Sequence, residues 1–175
     1  MAGANLVKFQ TLNADRMVTT TASKAEYQML TTDSGESQHA MLQKLELTEA
    51  EHRELIAHSA SMNIEFFSTG FDIESINMLV GLGQALFKIP SGEITNLPFL
   101  RHIGHFGKRV ILSTGMSNMD EIGAALSVLE KAGTPRRDVT VLHCTTAYPV
   151  NMSDVNLLAM QSIQERFKVA VGYSD

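Results

Sequence analysis

Apolar residues recur along this chain in short, nearly continuous runs, each stopping at a polar or charged tip. The runs with their tips read LVKFQT (6–11), IEFFSTG (64–70), ALFKIPSGE (85–93), RVILSTGM (109–116), DVTVLHCTTAYP (138–149) and KVAVGYSD (168–175). Continuity of apolar residues is the mark of strands covered on both faces. The first strand is expected over Asn5–Gln10. Helical patterns separate most of the runs. TEAEHRELIAHSASMN opens with Thr48 and Glu51 in a capping-box arrangement, with Leu55 and Ile56 in its buried stripe. Asp72 starts a helix carrying Ile73, Ile76, Leu79 and Val80, ended by Gly81 and Gly83. Another begins near Asn96, with Pro98 in its first turn. Ser117 is expected to cap a helix with Ile122, Leu126 and Leu129 inward and Gly133 at its end. Ser153 is expected to cap one holding Leu157, Leu158 and Ile163. Strands alternating with helices imply an α/β fold of parallel strands joined by right-handed crossovers, ordered as in the sequence.

One segment breaks the rhythm. Between Thr11 and Leu47 lies a polar stretch too long for an ordinary strand-to-helix connection. Met41, Leu42 and Leu45 stand at helical spacing there, so a short helix is expected over Ser37–Leu45. A lid, a subunit contact and a plain surface excursion all remain open for the rest.

With 175 residues, 44% of them hydrophobic, the chain fits one domain or a large part of one. A complete (β/α)8 barrel needs about 250 residues, and strands stand at both ends here with no flanking element. The expectation is a central portion of a barrel with two unpaired edges. A net charge of −5 and a pI near 5.7 oppose a nucleic-acid partner. No apolar run nears the roughly 20 residues of a membrane span, and the opening residues read as a strand rather than a signal peptide. The single Cys144 excludes an internal disulfide and fits a reducing compartment, so cytoplasm is expected.

In a parallel barrel the carboxyl ends of the strands share one face, and the loops leaving it carry the active site. Lysines, hydroxyl residues, a glutamate and a tyrosine at these tips suit a phosphorylated acid and a polyol. Gly92 and Gly115 let backbone approach an anion. Each residue also has a plainer reading. Lysines at strand ends serve as solvated charges, and Ser68, Thr114 and Ser117 as caps or turn residues. Glu93 caps the following helix, Tyr148 packs before Pro149, His143 is a hydrogen-bonded core residue and Cys144 a small buried hydrophobe. His102 and His105 sit at i and i+3 of an outer helix, away from the tips.

KFQT, FFSTGFD, KIPSGE, VILSTGM, LHCTTAYP and VGYSD, in this order and spacing, resemble the catalytic barrel of the sialic acid synthase family, which includes N-acetylneuraminate and legionaminate synthases. KAEYQ, ESQ and MLQKLEL are more similar to the neuraminate and legionaminate branch than to the pseudaminate one. The resemblance spans essentially the whole chain and implies strands 2 to 7 of an incomplete (β/α)8 TIM barrel. Residues 1–175 would be the central part of a single catalytic domain, without the C-terminal antifreeze-like domain. The implied reaction condenses phosphoenolpyruvate with an N-acetylated hexosamine such as N-acetylmannosamine, giving a nine-carbon 2-keto sugar acid and phosphate.

The same resemblance assigns roles. Lys8 and Lys88 are the cationic contacts to phosphoenolpyruvate, and Thr69, Ser91, Gly92, Ser113 and Ser174 supply donors. Thr146, where related patterns carry asparagine, lies between the two substrates. Gln10, Glu93 and Tyr148 face the sugar, and Glu93, Lys88 and Tyr148 are the catalytic candidates. A divalent metal, manganese or magnesium, is implied as a Lewis acid on the sugar aldehyde. Its histidine ligands would lie beyond Asp175 and on the eighth strand, leaving no metal ligand in this chain. The first strand, with a substrate-binding glutamate, is likewise outside it. A homodimer is implied, with an arginine of the antifreeze-like domain reaching the partner's site. The competing readings are a non-catalytic remnant that keeps a phosphate pocket, and another phosphoenolpyruvate-condensing barrel of the heptulosonate or octulosonate type.

Overall fold

Alternating apolar runs and capped amphipathic segments fold as their periods require, into helices and parallel strands. The computed structural model describes residues 3–25, 28–29, 32–33, 35–147 and 149–174. Two compact units divide at Gly83 and Gln84. The expected single series of six strands is found as two parallel sheets, β1-β2 and β3-β4-β5-β6, because the hydrogen-bonded ladders close within each unit. Within each sheet the order follows the sequence.

The first unit holds β1 (Leu6–Thr11), α1 (Ala14–Met17), α2 (Gln38–Gln43), α3 (Glu49–Ser61), β2 (Glu65–Gly70) and α4 (Ile73–Gly81). β1 and β2 pair in parallel with Lys8 opposite Phe67, Gln10 opposite Thr69 and Thr11 opposite Gly70. The capping box of α3 forms as expected: Glu51 N–H donates to Thr48 Oγ1 at 3.2 Å, and the Glu51 carboxylate accepts from Thr48 N–H at 2.7 Å. Asp72 caps α4, accepting from Ser75 N–H at 2.9 Å, and Ile76 and Leu79 are buried.

The inward face of α3 differs from expectation. Leu55 and Ile56 are half-buried, and the buried positions are His52 and Ser59. The reason is a polar chain that satisfies the ring. His52 Nδ1–H donates to the Thr48 carbonyl at 2.8 Å, and its Nε2 is hydrogen-bonded with Thr11 Oγ1 at 2.6 Å. Thr11 Oγ1 lies 2.7 Å from Ser68 Oγ. On the same sheet face Phe9 and Phe66 stack with centroids 5.2 Å apart, and the His52 ring meets Phe66 edge-on.

The long connection is a cross-tied lobe rather than an open excursion. Its helix α2 is shorter than expected, with Ser37 as N-cap, and α1 is an additional turn. His39 Nε2 meets Asp15 at 2.7 Å, and Ala14 N–H donates to the Glu46 carboxylate at 2.7 Å. Lys24 is buried; its ammonium donates to Thr32 Oγ1 at 2.9 Å and to the Asp33 carbonyl, and pairs with Glu36, which also pairs with Lys44.

The second unit holds β3 (Leu86–Ile89), α5 (Leu97–His105), β4 (Arg109–Ser113), α6 (Met119–Ala132), β5 (Val139–Cys144), α7 (Leu158–Phe167) and β6 (Ala170–Ser174), with a 3-10 turn at Ser91–Glu93. All pairings are parallel. Partners in a parallel ladder share a face, and alternation along each strand sorts the side chains. One face carries Phe87, Ile89, Val110, Leu112, Val139 and Val141, all buried, as are Leu100, Ile103, Ile122, Leu126 and Leu129 on the helices. The other carries Lys88, Ile111, Ser113, Leu142, Cys144, Gly172 and Ser174. Helices α5 and α6 approach closely at Gly104, where a Cβ would lie 2.6 Å from Ala132 Cβ.

Two expected caps are displaced. Asn118, not Ser117, caps α6, accepting from the N–H groups of Asp120 and Glu121 at 2.9 and 3.0 Å, while the Ser117 hydroxyl turns back to the Gly115 carbonyl. Ser153 does not cap α7. Residues Met152–Asp154 form a 3-10 turn and the helix begins only at Leu158, so Leu157 and Leu158 are exposed while Ile163 is buried. Among the described residues no helix is long and apolar enough to cross a membrane.

Candidate functional site

The parallel ladder of the second unit brings the carboxyl ends of β3, β4 and β5 side by side. Lys88, next to last on β3, is half-buried, and its Nζ donates to Ser113 Oγ at 2.6 Å and to the Ile89 carbonyl at 3.2 Å. Ser113 is buried at the end of β4. Pro90 leads from β3 into the 3-10 turn, which sets Ser91 Oγ 2.9 Å from Gly115 N–H, whose proton it accepts, and 3.4 Å from Cys144 Sγ.

Gly115 has no room for a side chain. A Cβ there would lie 2.8 Å from Thr146 Cγ2 and 2.9 Å from Ser91 Oγ, so the loops after β3, β4 and β5 all close on this position. Thr114 Oγ1 donates to the Leu142 carbonyl at 2.8 Å and fastens the end of β4 to β5. Met116, 84% exposed, holds a left-handed φ of 61°, a conformation that costs a non-glycine residue of order 1 kcal/mol or more. Ser174 pairs across the ladder with Cys144 and is half-buried.

Glu93 closes the 3-10 turn. It does not cap α5, because Asn96 does: Asn96 Oδ1 accepts from Phe99 N–H at 3.2 Å while Asn96 Nδ2 donates to the Glu93 carboxylate at 2.6 Å. Gly92 is exposed, and a Cβ there would meet nothing within 4 Å. Tyr148 lies outside the described residues.

In the first unit Lys8 and Gln10 are exposed on β1 and share a face with Phe67 and Thr69. Thr69 is 2% exposed, and its Oγ1 has no hydrogen-bond partner among the described residues. The alternate residues Thr11 and Ser68 face the other way, where Thr11 bonds both His52 and Ser68. Sequence reasoning passed over His52 and Lys24. The one local signal for His52 is its place four residues after the cap Thr48.

His143 differs from the hydrogen-bonded core residue expected of it: its Nε2 is buried without a partner among the described residues, and its ring lies 5.8 Å from that of Tyr173. It lines, with Cys144, Asn118 and Ser162, a cavity of about 520 Å³. Cys144 is buried, as expected. His102 and His105, in the last turn of α5, pack edge-on against Phe106. Among the described residues no three or more His, Cys, Asp or Glu gather at a metal-binding distance, so those residues do not by themselves fit a metal centre.

The NeuB family profile matches residues 1–175, and the chain belongs to the NeuB family. It is 54% identical over 174 residues to N,N'-diacetyllegionaminic acid synthase of Campylobacter jejuni, covering 99% of this chain and 52% of that one. The corresponding synthase of Legionella pneumophila is 46% identical over 176 residues, covering 99% and 49%. Among solved structures, the N-acetylneuraminic acid (sialic acid) synthetase of Leptospira borgpetersenii superposes with a TM-score of 0.81 at 32% identity, covering 98% of this chain and 54% of that one. The chain spans about half the length of the curated relatives it matches.

Proposed function

We propose that this chain supplies most of the phosphoenolpyruvate pocket of a synthase that joins phosphoenolpyruvate to an N-acetylated hexosamine, forming a nine-carbon 2-keto sugar acid and releasing phosphate. The observation that carries the reading is the Lys88 ammonium held on Ser113 at adjacent strand ends, beside the closure of Ser91 and Thr146 on Gly115. Phosphoenolpyruvate brings a phosphate and a carboxylate; a fixed cation with hydroxyl donors around it meets both, because charge-assisted hydrogen bonds are the strong ones. The names of the Campylobacter and Legionella relatives favour a product of the legionaminic acid type.

On this reading the six strands are the second to seventh of a (β/α)8 barrel, and 1–175 is the central part of its catalytic domain. Lys8, Thr69, Lys88, Ser91, Gly92, Ser113, Thr146 and Ser174 contact phosphoenolpyruvate; Gln10, Glu93 and Tyr148 contact the sugar. The divalent metal, manganese or magnesium, takes its ligands from outside this chain and supplies Lewis-acid polarisation of the aldehyde when bound. A homodimer follows from the family resemblance, and a cytoplasmic location is favoured by the single buried thiol of Cys144.

The test is phosphate release by the protein as the cell makes it, with manganese, phosphoenolpyruvate and a panel of N-acetylated hexosamines. Release that needs both substrates, together with a keto acid product, is expected. Phosphoenolpyruvate binding with no turnover on any hexosamine would favour the non-catalytic remnant, and turnover only on phosphorylated aldoses would favour the heptulosonate class.

A further inference from the structure

We infer that Asn96 is a positioning residue for the Glu93 carboxylate, holding it in place through the side-chain amide that also caps helix α5. The inference rests on the sugar-facing role proposed for Glu93. The geometry is a fork with both prongs used. Oδ1 accepts from Phe99 N–H at 3.2 Å, which anchors Asn96 to the first turn of the helix, and Nδ2 donates to Glu93 Oε2 at 2.6 Å. The backbone repeats the tie, Asn96 N–H donating to the Glu93 carbonyl at 3.0 Å. Glu93 itself ends a turn of only three residues, Ser91–Glu93.

The pairing has a chemical consequence. An amide N–H only donates and a carboxylate oxygen accepts, so the contact turns one Glu93 oxygen toward α5, leaving the other for a substrate hydroxyl or amide. A plain helix cap has no need of that donor. Ser and Asp cap helices about as well as Asn, yet neither carries an N–H in the same place. This separates the two roles of Asn96 cleanly.

The experiment compares Asn96→Ser and Asn96→Asp with the wild type in the protein as the cell makes it. Both variants should keep the thermal midpoint, because the cap survives. Both should lower kcat/KM for the hexosamine about tenfold, the scale of one hydrogen bond to a charged group, with KM for phosphoenolpyruvate unchanged. In a Glu93→Gln background Asn96→Ser should add little, the sign of coupling between the two. Full activity in Asn96→Ser, or an equal loss with Glu93→Gln already present, would overturn the inference. Should the wild type turn over no substrate at all, the enzyme reading fails by itself, and the Asn96 side-chain amide protons decide the contact. They should resonate downfield in the wild type and return to the ordinary amide range in Glu93→Ala; no change between the two would overturn it.

Discussion

Lys88 pairs across the ladder with Ile111, yet its ammonium reaches Ser113, two residues further along the neighbouring strand. The side chain therefore leans along β3 toward the carboxyl ends, a direction strand side chains commonly take, and delivers its charge where the loops begin. A point charge on a flexible stem does this; a planar guanidinium does not fit the same single oxygen. Lys88→Arg should keep the fold and lose at least about tenfold in phosphoenolpyruvate affinity, the scale of one charge-assisted contact. Calorimetric titration reads it, and wild-type affinity in the arginine variant would show that charge alone suffices.

Gly115→Ala puts a methyl group 2.8 Å from Thr146 Cγ2 and 2.9 Å from Ser91 Oγ. Overpacking of this kind costs about 1–3 kcal/mol, to be read as a lower urea midpoint. Adding Thr146→Ser removes one of the two obstacles and should recover part of the loss. An unchanged midpoint in Gly115→Ala would mean that the three loops do not close there.

His52→Leu keeps the bulk of the ring and removes both of its side-chain hydrogen bonds, leaving the buried Thr11 hydroxyl with Ser68 alone; the Thr48 carbonyl keeps the backbone N–H of residue 52. The expected cost is about 2–3 kcal/mol of stability, measured by chemical unfolding. A neutral result would remove the polar chain from the account of how β1, β2 and α3 hold together.

Acid should weaken the first unit through Asp72. Burial pushes this carboxyl up, but the hydroxyl and N–H of Ser75, at 2.6 and 2.9 Å, and Arg16 at 3.2 Å outweigh burial and hold it below its ordinary value. A value lower in the folded than in the unfolded chain stabilises the fold above the unfolded value of about 3.9, and that contribution is lost as pH falls through the lowered folded value. The stability gap between wild type and Asp72→Asn should therefore be widest near neutrality and close below about pH 4. A gap of constant width across that range would contradict the assignment.

What the sequence made legible was local. Thr48 and Asp72 cap their helices as their spacing indicated, because a cap is settled within four residues; the helix expected near Asn96 is capped by Asn96 itself, not by Glu93. Ser117 and Asn118 stand side by side and either type caps a helix; only the backbone angles choose, and they choose Asn118. Ser153 failed for a similar reason, the chain spending three residues on a turn that no period announces. His52 was hidden because its partner Thr11 lies 41 residues away, and a polar residue on a helix reads as surface unless that partner is known. That Lys88 and Ser113 stand near the ends of strands was legible; that they share a face comes from the register of β3 on β4. Their contact was not legible, because it depends on the lean of one side chain.

The central claim is that the strand-end cluster around Lys88 binds phosphoenolpyruvate. Calorimetric titration of phosphoenolpyruvate into the protein as the cell makes it, beside its Lys88→Ala variant, tests this most directly. The account predicts binding by the wild type and at least a tenfold loss in the variant, about the worth of one charge-assisted hydrogen bond, with the thermal midpoint little changed. Equal affinity in the two proteins would contradict it.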